Sequence, residues 1–258
     1  MNNPYNILYE WNCLEIMDNL IEQWTIVDAI ITDPPYWTTA CKRDSVIPFE
    51  PMRERLNKLI KPNWAIVLFG GNPFQANLIM SNPKMFKHEW IRDKMVGANF
   101  AVLKYQPMRE HESISVFCKG TPNYFPIKEP RRWSWKKRAK YSHTSKGVDE
   151  RYKIDRSTQQ DKFYDKDLRN PRSIQAFTPR ESKKTRGLHP TQKPVALMEY
   201  LIKTYTNEWD LVLDFTMWSW STWVACVNTN RNFIGIEKDS EYMKIAMDRI
   251  ERSGSLFS

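Results

Sequence analysis

The chain has 258 residues, enough to bury the core of one large domain or of one domain with an insertion. Its net charge is +9, and its four cysteines form no Cys-x-x-Cys pair, which argues against a zinc site and against a disulfide framework. The N-terminus lacks the pattern of a signal peptide, and no apolar run approaches the roughly 18 residues of a membrane span. We therefore expect a soluble cytoplasmic protein without a metal site or a membrane partner.

Short apolar runs alternate with helical patterns along both flanks of the chain. The runs typical of buried parallel strands are 27–32, 65–70, 113–118, 211–215 and 233–236, and the helical patterns are 49–60, 194–205 and 240–252. This alternation predicts an α/β fold of the Rossmann-like type, a doubly wound and mostly parallel sheet with helices on both faces. Ligands of such folds bind at the carboxyl ends of the strands, so motifs at those ends carry the most functional weight.

The first such motif is Asp33-Pro34-Pro35-Tyr36, directly after the predicted strand 27–32. Its prolines lack backbone N–H groups and make a rigid turn whose carbonyl oxygens are free to accept hydrogen bonds. A planar group with an exocyclic amine suits this turn, because Asp33 and the carbonyl of Pro34 can accept the amine hydrogens while Tyr36 stacks on the ring. An ordinary Asp-Pro turn is the alternative, and the position after a buried strand makes that alternative weaker.

Positive charge is concentrated in segment 121–187, which holds 19 Lys and Arg against 8 Asp and Glu, whereas the rest of the chain has a net charge of −2. The segment is polar, interrupted by prolines and weakly periodic, which argues against a separate hydrophobic core. It fits either a solvated basic loop or a nucleic-acid surface that neutralises phosphates. Aromatic side chains for stacking on bases lie among the charges, at Trp133, Trp135, Tyr141 and Tyr152. Composition alone leaves both interpretations open.

Two further features follow toward the C-terminus. HPTQKP at 189–194 leads into a helical pattern, where free amides and a lysine suit a carboxylate or phosphate, although simple helix capping explains this stretch equally well. Beyond it, Asp214 ends one predicted strand and Glu237 ends the next. An acid at the second strand end is placed to accept hydrogen bonds from ribose hydroxyls.

In this order, DPPY, HPTQKP and the turn DFTMWSWST at 214–222 resemble the motifs of the β-class amino-group DNA methyltransferases. NCLEIM, LFGGNPF and HESISVFCKG extend the resemblance over nearly the whole chain. The resemblance implies transfer of a methyl group from S-adenosylmethionine to N6 of adenine or N4 of cytosine in double-stranded DNA, on a base flipped out of the helix. The protein-glutamine methyltransferases share a similar motif but place the cofactor motif first. The Asp form of DPPY is commoner among adenine enzymes, so adenine is the predicted target.

The resemblance also assigns site residues. Asp33, Pro34, Pro35 and Tyr36 would hold and orient the flipped base. The residues expected to bind the cofactor are Asn12, Cys13, Thr191, Lys193, Asp214, Phe215, Thr216, Ser219, Ser221, Thr222 and Glu237. Among these, 214–222 match the methionine-binding turn, Glu237 matches the ribose-binding acid, and the two residues from HPTQKP match those that reach the carboxylate end of the cofactor.

By the same match, the chain is divided into a catalytic half (1–120), a basic DNA target-recognition insertion (121–187) and a cofactor-binding half (188–258). The position of the insertion favours its interpretation as a DNA surface. Such enzymes occur with restriction systems or phage, which places the predicted protein in the cytoplasm of a bacterial or phage host cell.

Tryptophan replaces glycine in a consistent departure from the family pattern. It stands at eight positions where the family has or accepts glycine, namely Trp11, Trp24, Trp37, Trp64, Trp209, Trp218, Trp220 and Trp223. The chain accordingly has only 8 glycines, well below the usual share of about 7%. Asn12 likewise stands where the family usually has Asp. In the 218–223 turn, a side chain costs roughly 1–2 kcal/mol wherever φ is positive, and an indole occupies cofactor volume.

We therefore expect this chain to bind the cofactor weakly or not at all. Three functions stay open from the sequence. The leading one is an adenine-N6 DNA methyltransferase, the second is a methyltransferase-like DNA-binding protein with impaired catalysis, and the third is a cytosine-N4 methyltransferase.

Overall fold

The computed structural model describes residues 6–36, 46–130, 148–149, 154–155, 167–178, 193–218 and 220–244. The chain divides into two compact units, one formed by Met1–Phe125 together with Ser173–Ser258 and the other by Pro126–Arg172. The predicted sites at Thr191 and Ser219, and most of the basic segment, lie outside the described residues.

The first unit is built on a sheet of eight strands. In chain order these are β1 (Asn6–Glu10), β2 (Ala29–Thr32), β3 (Ile66–Gly70), β4 (Phe86–Ala98), β5 (Arg109–Phe117), β10 (Ile174–Ala176), β11 (Leu211–Asp214) and β12 (Asn232–Glu237). Across the sheet they lie in the order β1-β12-β11-β2-β3-β5-β4-β10. Every neighbouring pair is parallel except those made by β5, which runs antiparallel to both β3 and β4. The predicted mostly parallel sheet is confirmed.

In the described part of the second unit, four two-residue strands form two antiparallel pairs. They are β6 (Glu129–Pro130), β7 (Val148–Asp149), β8 (Ile154–Asp155) and β9 (Leu168–Arg169). The pairs are β6 with β9 and β7 with β8. The β6–β9 pair is also joined by an ion pair between Arg169 and Glu129, 3.0 Å apart.

Helices cover both faces of the main sheet. They are α1 (Cys13–Glu22), α2 (Phe49–Leu59), α3 (Phe74–Met80), α4 (Val195–Tyr205) and α5 (Ser221–Asn228), and a further helix begins at Ser240. One buried cluster packs the apolar faces of α4 and α5 on the sheet, and a second packs those of α1, α2 and α3. Two separate cores, one on each face, confirm the doubly wound α/β architecture. Among the described residues, no helix is long and apolar enough to span a membrane.

Most predicted strands and helices that fall on described residues agree with the observed elements to within about two residues, but β5 begins at Arg109, four residues before the predicted start at 113. The largest unpredicted element is β4, thirteen residues with the mixed sequence FKHEWIRDKMVGA. Its pattern conceals a strand because Arg92 is buried as a charged residue and is neutralised by Glu112 on the neighbouring strand. Periodicity counts such a residue as solvent-facing, so the sequence pattern does not predict β4.

Candidate active site

The turn Asp33-Pro34-Pro35-Tyr36 begins at the residue after β2, on the carboxyl edge of the sheet. Both prolines are buried, and the hydroxyl group of Tyr36 donates a hydrogen bond to Asp33 Oδ1. The Tyr36 ring packs against the ring of Phe74 at the start of α3, with centroids 5.2 Å apart. The turn therefore presents one carboxylate and one phenol, already joined to each other, beside the edge of the sheet.

Lys193, the residue two positions before α4, closes on this turn from the other side. Its Nζ lies 2.7 Å from Asp33 Oδ2 and 2.7 Å from Glu112 Oε1. Burial raises the pKa of Asp33, and the facing ammonium of Lys193 opposes this rise without cancelling it. Burial acts to lower the pKa of Lys193, but the two carboxylates outweigh it and hold the pKa well above its ordinary value. Lys193 is therefore a fixed cation in the site.

Asp214, the last residue of β11, is held by two hydroxyl groups and one backbone N–H. Its carboxylate accepts hydrogen bonds from Thr32 Oγ1 at 2.6 Å and from Thr222 Oγ1 at 2.5 Å. The backbone N–H of Thr216 donates to the same carboxylate at 3.2 Å. Burial raises the pKa of Asp214 to about 6. With these partners the carboxylate ties the 214–222 turn to β2, so its part in the site is to shape the turn.

A cavity of about 580 Å³ opens beside the turn Asp33–Tyr36, the predicted catalytic turn. That volume lies in the range of about 300–1,000 Å³ typical of small-molecule sites. Five of the residues predicted to bind the cofactor line the cavity, together with Pro35: they are Asn12, Cys13, Phe215, Thr216 and Glu237. A larger depression of about 770 Å³ lies on α2 and α3 and contains none of the predicted site residues.

Glu237 ends β12 at the wall of this cavity. Its Oε2 accepts the backbone N–H of Trp218 at 2.8 Å, and its Oε1 accepts that of Asp239 at 2.9 Å. Burial raises the pKa of Glu237 to about 7. Across the cavity, Asn12 caps helix α1 through a 2.9 Å hydrogen bond from the N–H of Leu14. The predicted ribose-binding acid and the predicted adenine segment thus share one cavity.

Trp218 connects the cavity to the catalytic turn. Its indole N–H donates to the backbone carbonyl of Asp33 at 2.8 Å, and its ring lies 6.3 Å from that of Tyr242. The indole therefore lines the cavity on the side that faces the Asp33 carbonyl. Trp220 and Trp223 behave differently, because both are buried in the core cluster under α4 and α5 and neither lines the cavity.

The remaining predicted residues lie beneath the cavity. The hydroxyl group of Ser221 donates to the backbone carbonyl of Lys193 at 2.6 Å, which links α5 to the start of α4. Thr222 points at Asp214, and Lys193 at Asp33 and Glu112. Each of these three polar side chains already has a partner within the protein, so we assign them to the residues that support the site.

Sequence reasoning missed Arg92, Glu112 and Thr32. Glu112 bridges Lys193 and Arg92, whose Nη1 lies 3.0 Å from Glu112 Oε2. Thr32, the last residue of β2, hydrogen-bonds to Asp214 and lies 2.7 Å from the hydroxyl of Thr216. A usable signal existed for Glu112, because an acidic residue directly precedes the apolar run SISVF within a quoted motif.

Comparison with known proteins decides the family. The family model of the N6/N4 DNA methylases, described as DNA methylase, matches residues 27–248, which include the turn Asp33–Tyr36 and Glu237 in the cavity wall. The chain belongs to this family. Among curated DNA methylases, the type II methyltransferase M.HpaI of Haemophilus parainfluenzae is 27% identical over 257 residues, covering 93% of this chain and 72% of that protein. M2.MboI of Moraxella bovis is 25% identical over 264 residues, covering 94% and 86%.

Solved structures of DNA methyltransferases share the fold. The complex of M1.HpyAVI with S-adenosylmethionine superimposes with a TM-score of 0.63 at 25% identity, covering 94% of this chain and 98% of that one. The cytosine-N4-specific PvuII methyltransferase gives a TM-score of 0.63 at 16% identity, covering 94% and 85%. These matches confirm the predicted methyltransferase fold. In the described part of this DNA methylase, no cluster of side chains is suited to hold a metal ion.

Proposed function

We propose that this DNA methylase transfers a methyl group from S-adenosylmethionine to N6 of an adenine in double-stranded DNA. One observation carries the proposal: the turn Asp33-Pro34-Pro35-Tyr36 lies at the carboxyl end of β2, beside a cavity that ends at Glu237. The site thus combines acceptors for an amine with a separate place for a nucleoside cofactor. Family membership supports methyl transfer to DNA.

The cavity suits S-adenosylmethionine in its chemistry. Glu237 is the acceptor for ribose hydroxyls, Asn12 and Cys13 border the adenine, and Thr216 lies on the side of the catalytic turn. The cofactor supplies an electrophilic methyl group, so the amine nitrogen forms the new C–N bond as the C–S bond breaks, and the amine then loses one proton. A covalent enzyme intermediate is unnecessary, which agrees with the raised pKa, about 11, that burial gives the thiol of Cys13.

Asp33 and Tyr36 orient the base in this proposal. Each oxygen of an ionised carboxylate has about two acceptor sites, so Asp33 can accept amine hydrogens while it keeps Lys193 and Tyr36 as partners. An amine whose hydrogens point at Asp33 directs its nitrogen lone pair away from the carboxylate. The Tyr36 ring provides the face on which a flipped base stacks, and stacking offsets part of the few kcal/mol that extrusion costs.

Adenine is favoured over cytosine by the Asp form of the motif. The DNA adenine methyltransferase YhdJ of Escherichia coli is 43% identical over 63 residues, although these cover only 24% of this chain. The basic segment 121–187 supplies the phosphate-neutralising charge that binding to double-stranded DNA needs. The type II relatives support a place in a restriction–modification system.

A second candidate function, a DNA-binding protein with impaired catalysis, is favoured by Trp218. Its indole lines the cavity and donates to the backbone carbonyl of Asp33, so the ring lies between the cavity and the catalytic turn. A cofactor whose methyl group must reach that turn would have to displace the ring. The two candidates share the fold and the DNA surface, and differ in turnover.

Incubation of unmethylated plasmid DNA with radiolabelled S-adenosylmethionine tests the proposal, followed by separation of the nucleosides from the digested DNA. We expect label in N6-methyl-2′-deoxyadenosine for the purified protein and none for Asp33→Ala, the matched control. Label in N4-methyl-2′-deoxycytidine would replace adenine by cytosine as the target. DNA binding without label in either nucleoside, both for this chain and for Trp218→Gly, would establish the impaired alternative.

A further inference from the structure

Four charges, two buried (Arg92 and Lys193) and two largely buried (Glu112 and Asp33), form a continuous row behind the catalytic turn. Arg92 Nη1 lies 3.0 Å from Glu112 Oε2, and Glu112 Oε1 lies 2.7 Å from Lys193 Nζ. Lys193 in turn lies 2.7 Å from Asp33 Oδ2. Arg92 and Glu112 are directly opposite each other in the β4–β5 register, which fixes their spacing. The row therefore alternates in sign from strand β4 to the catalytic turn.

We propose that Lys193 is a positioning residue for Asp33, and that Glu112, held by Arg92, positions Lys193. The catalytic part of this inference rests on the proposed methyl transfer, whereas the arrangement of the four charges is independent of that function. Asp33 Oδ1 accepts from Tyr36 and Asp33 Oδ2 accepts from Lys193, so the carboxylate plane is held from two sides. Without the ammonium, Asp33 and Glu112 would be two neighbouring buried carboxylates, and one of them would take up a proton. A protonated Asp33 loses acceptor capacity for the amine.

The geometry favours this role of Lys193 over the predicted contact with the cofactor carboxylate. An ammonium group has three N–H donors. Protein acceptors lie around Nζ at Asp33, at Glu112 and, at 3.4 Å, at the hydroxyl of Tyr36. The ammonium also faces the ring of Phe69, 5.0 Å from its centroid. Its donors are therefore already matched by partners from β5 and the catalytic turn.

Titration of the Asp33 side-chain carboxyl carbon by ¹³C NMR tests the proposal without requiring activity, with Asp33→Asn to assign the resonance. The charged and titratable groups that face Asp33 are Lys193, Glu112, Tyr36 and Asp214. Removal of the cation in Lys193→Met should raise the pKa of Asp33 by about 1–3 units. The matched control is Lys61→Met, which breaks a 2.5 Å ion pair with Asp28 elsewhere and should leave Asp33 unchanged.

Glu112→Gln provides a second variant with the opposite expected sign. It removes the neighbouring negative charge while Lys193 stays beside Asp33, so the pKa of Asp33 should fall. The proposal is overturned if Asp33 titrates at the wild-type pH in both variants. If only one of the two variants folds, its predicted direction is the test.

Kinetics separate positioning from cofactor binding. Lys193→Met should lower kcat, leave the dissociation constant of S-adenosylmethionine unchanged and move the acid limb of the pH–rate profile upward, and Lys193→Arg should recover part of kcat. Weaker cofactor binding with unchanged kcat would instead overturn the positioning role. Absence of methyl transfer by the unaltered protein contradicts the proposed function alone, because the NMR titration still decides the role of Lys193.

A separate observation concerns the backbone of four tryptophans. Trp24, Trp209, Trp218 and Trp220 have φ values of 58°, 70°, 40° and 68°. This left-handed region suits glycine and is unusual for a bulky side chain. Among the described residues, three of the other four non-glycine residues with positive φ are asparagine, the residue that tolerates the region best after glycine. Tryptophan is therefore concentrated where its own conformational preference is poorest.

The local hydrogen bonds at two of these positions are those of glycine motifs. Trp24 lies just after the C-terminus of α1. Its backbone N–H donates to the carbonyl of Ile21 at 3.0 Å, and the backbone N–H of Thr25 donates to the carbonyl of Leu20 at 2.9 Å. Those two bonds define the Schellman motif, whose left-handed residue is usually glycine. Trp209 is the third residue of a four-residue turn, 207–210, closed at 3.3 Å. Positive φ at that position is the signature of a turn that requires glycine or asparagine.

The indole of Trp220 is independent evidence that position 220 does not suit tryptophan. It is fully buried, and its N–H has no hydrogen-bond partner in the part of the chain that the structure describes. A buried indole normally has such a partner. Trp90 is the contrast within this protein, because its buried N–H donates to the hydroxyl of Tyr205 at 2.7 Å. Position 90 is built for tryptophan and position 220 is not.

We infer that the organism that makes this protein incorporates glycine at positions 24, 209, 218 and 220. A codon read there as glycine, but as tryptophan in the printed sequence, accounts for the four backbone conformations and for part of the glycine deficit of a chain with only 8 glycines. Tandem mass spectrometry of peptides from the protein isolated from its own organism tests the inference. We expect glycine at the four positions and tryptophan at Trp90, the internal control. Tryptophan at the four positions overturns it.

Discussion

Replacement of Trp24 by glycine should stabilise the protein, although it deletes the largest side chain. Trp24 is 90% exposed, so its indole loses little packing, and its φ of 58° places a Cβ in the left-handed region. That conformation costs roughly 1–2 kcal/mol for a residue with a Cβ. The greater freedom of glycine in the unfolded chain offsets about 0.4–1 kcal/mol of this. The net gain in the free energy of unfolding is therefore about 0.5–1 kcal/mol.

Urea denaturation followed by circular dichroism measures this gain. With a slope near the upper end of the usual range, about 3 kcal/mol per molar, the midpoint should rise by roughly 0.2–0.3 M. Trp24→Ala is the matched control, since alanine removes the indole but keeps the Cβ, and its midpoint should stay near that of the unaltered chain. Trp209→Gly should give a similar rise, because Trp209 is 69% exposed and has a φ of 70°.

A third variant tests whether glycine acts through conformation alone. Trp11 is 59% exposed, is not among the residues with positive φ, and donates its indole N–H to Glu15 at 2.6 Å. Trp11→Gly should lower the midpoint, since it gains only flexibility. Equal destabilisation by Trp24→Gly and Trp11→Gly would refute the reasoning, because backbone strain at position 24 would then contribute nothing measurable.

Three further predictions concern the active site. Trp218→Gly should strengthen binding of S-adenosylmethionine at least about tenfold by titration calorimetry, the equivalent of about 1.4 kcal/mol, and micromolar binding by the unaltered chain would contradict the weak binding that we expect of it. Cofactor affinity should rise from pH 6 to pH 8, because burial raises the pKa of Glu237 to about 7 and the ionised carboxylate is the better acceptor for ribose hydroxyls. Glu237→Gln should bind the cofactor more weakly and without this pH dependence. If the variant keeps the pH dependence, another group causes it. The free energy of unfolding should fall as the pH rises from about 4 to about 7. The raised pKa values of Asp214 and Glu237, about 6 and about 7, make the folded chain bind more protons than the unfolded chain in this range. Glu237→Gln should make the free energy of unfolding less steeply dependent on pH, and an unchanged dependence would show that Glu237 does not contribute to it.

Much of the fold and the membership of the family follow from local sequence. Strands such as β3 and β11 are continuous apolar runs, because both faces of a parallel sheet are covered by helices, and periodicity shows this directly. The turn Asp33–Tyr36, directly after β2, and Glu237, the last residue of β12, could be placed because each lies at the end of such a run on the carboxyl edge of the sheet. Strand β4 could not be predicted, since its buried Arg92 has the appearance of a surface residue until its partner is known.

The sequence by itself determined the order of the motifs, the concentration of positive charge in one segment and the replacement of glycine by tryptophan. Only the tertiary structure decided which charges meet. Lys193 and Glu112 are 81 residues apart in the chain, and no local pattern relates them; they pair because the β4–β5 hairpin and the start of α4 converge on the catalytic turn. It also decided the meaning of the tryptophans, since φ at positions such as Trp24 and Trp220 is set by the helix end or turn that contains the residue. The side chain then bears the strain of a backbone shape that the rest of the fold imposes.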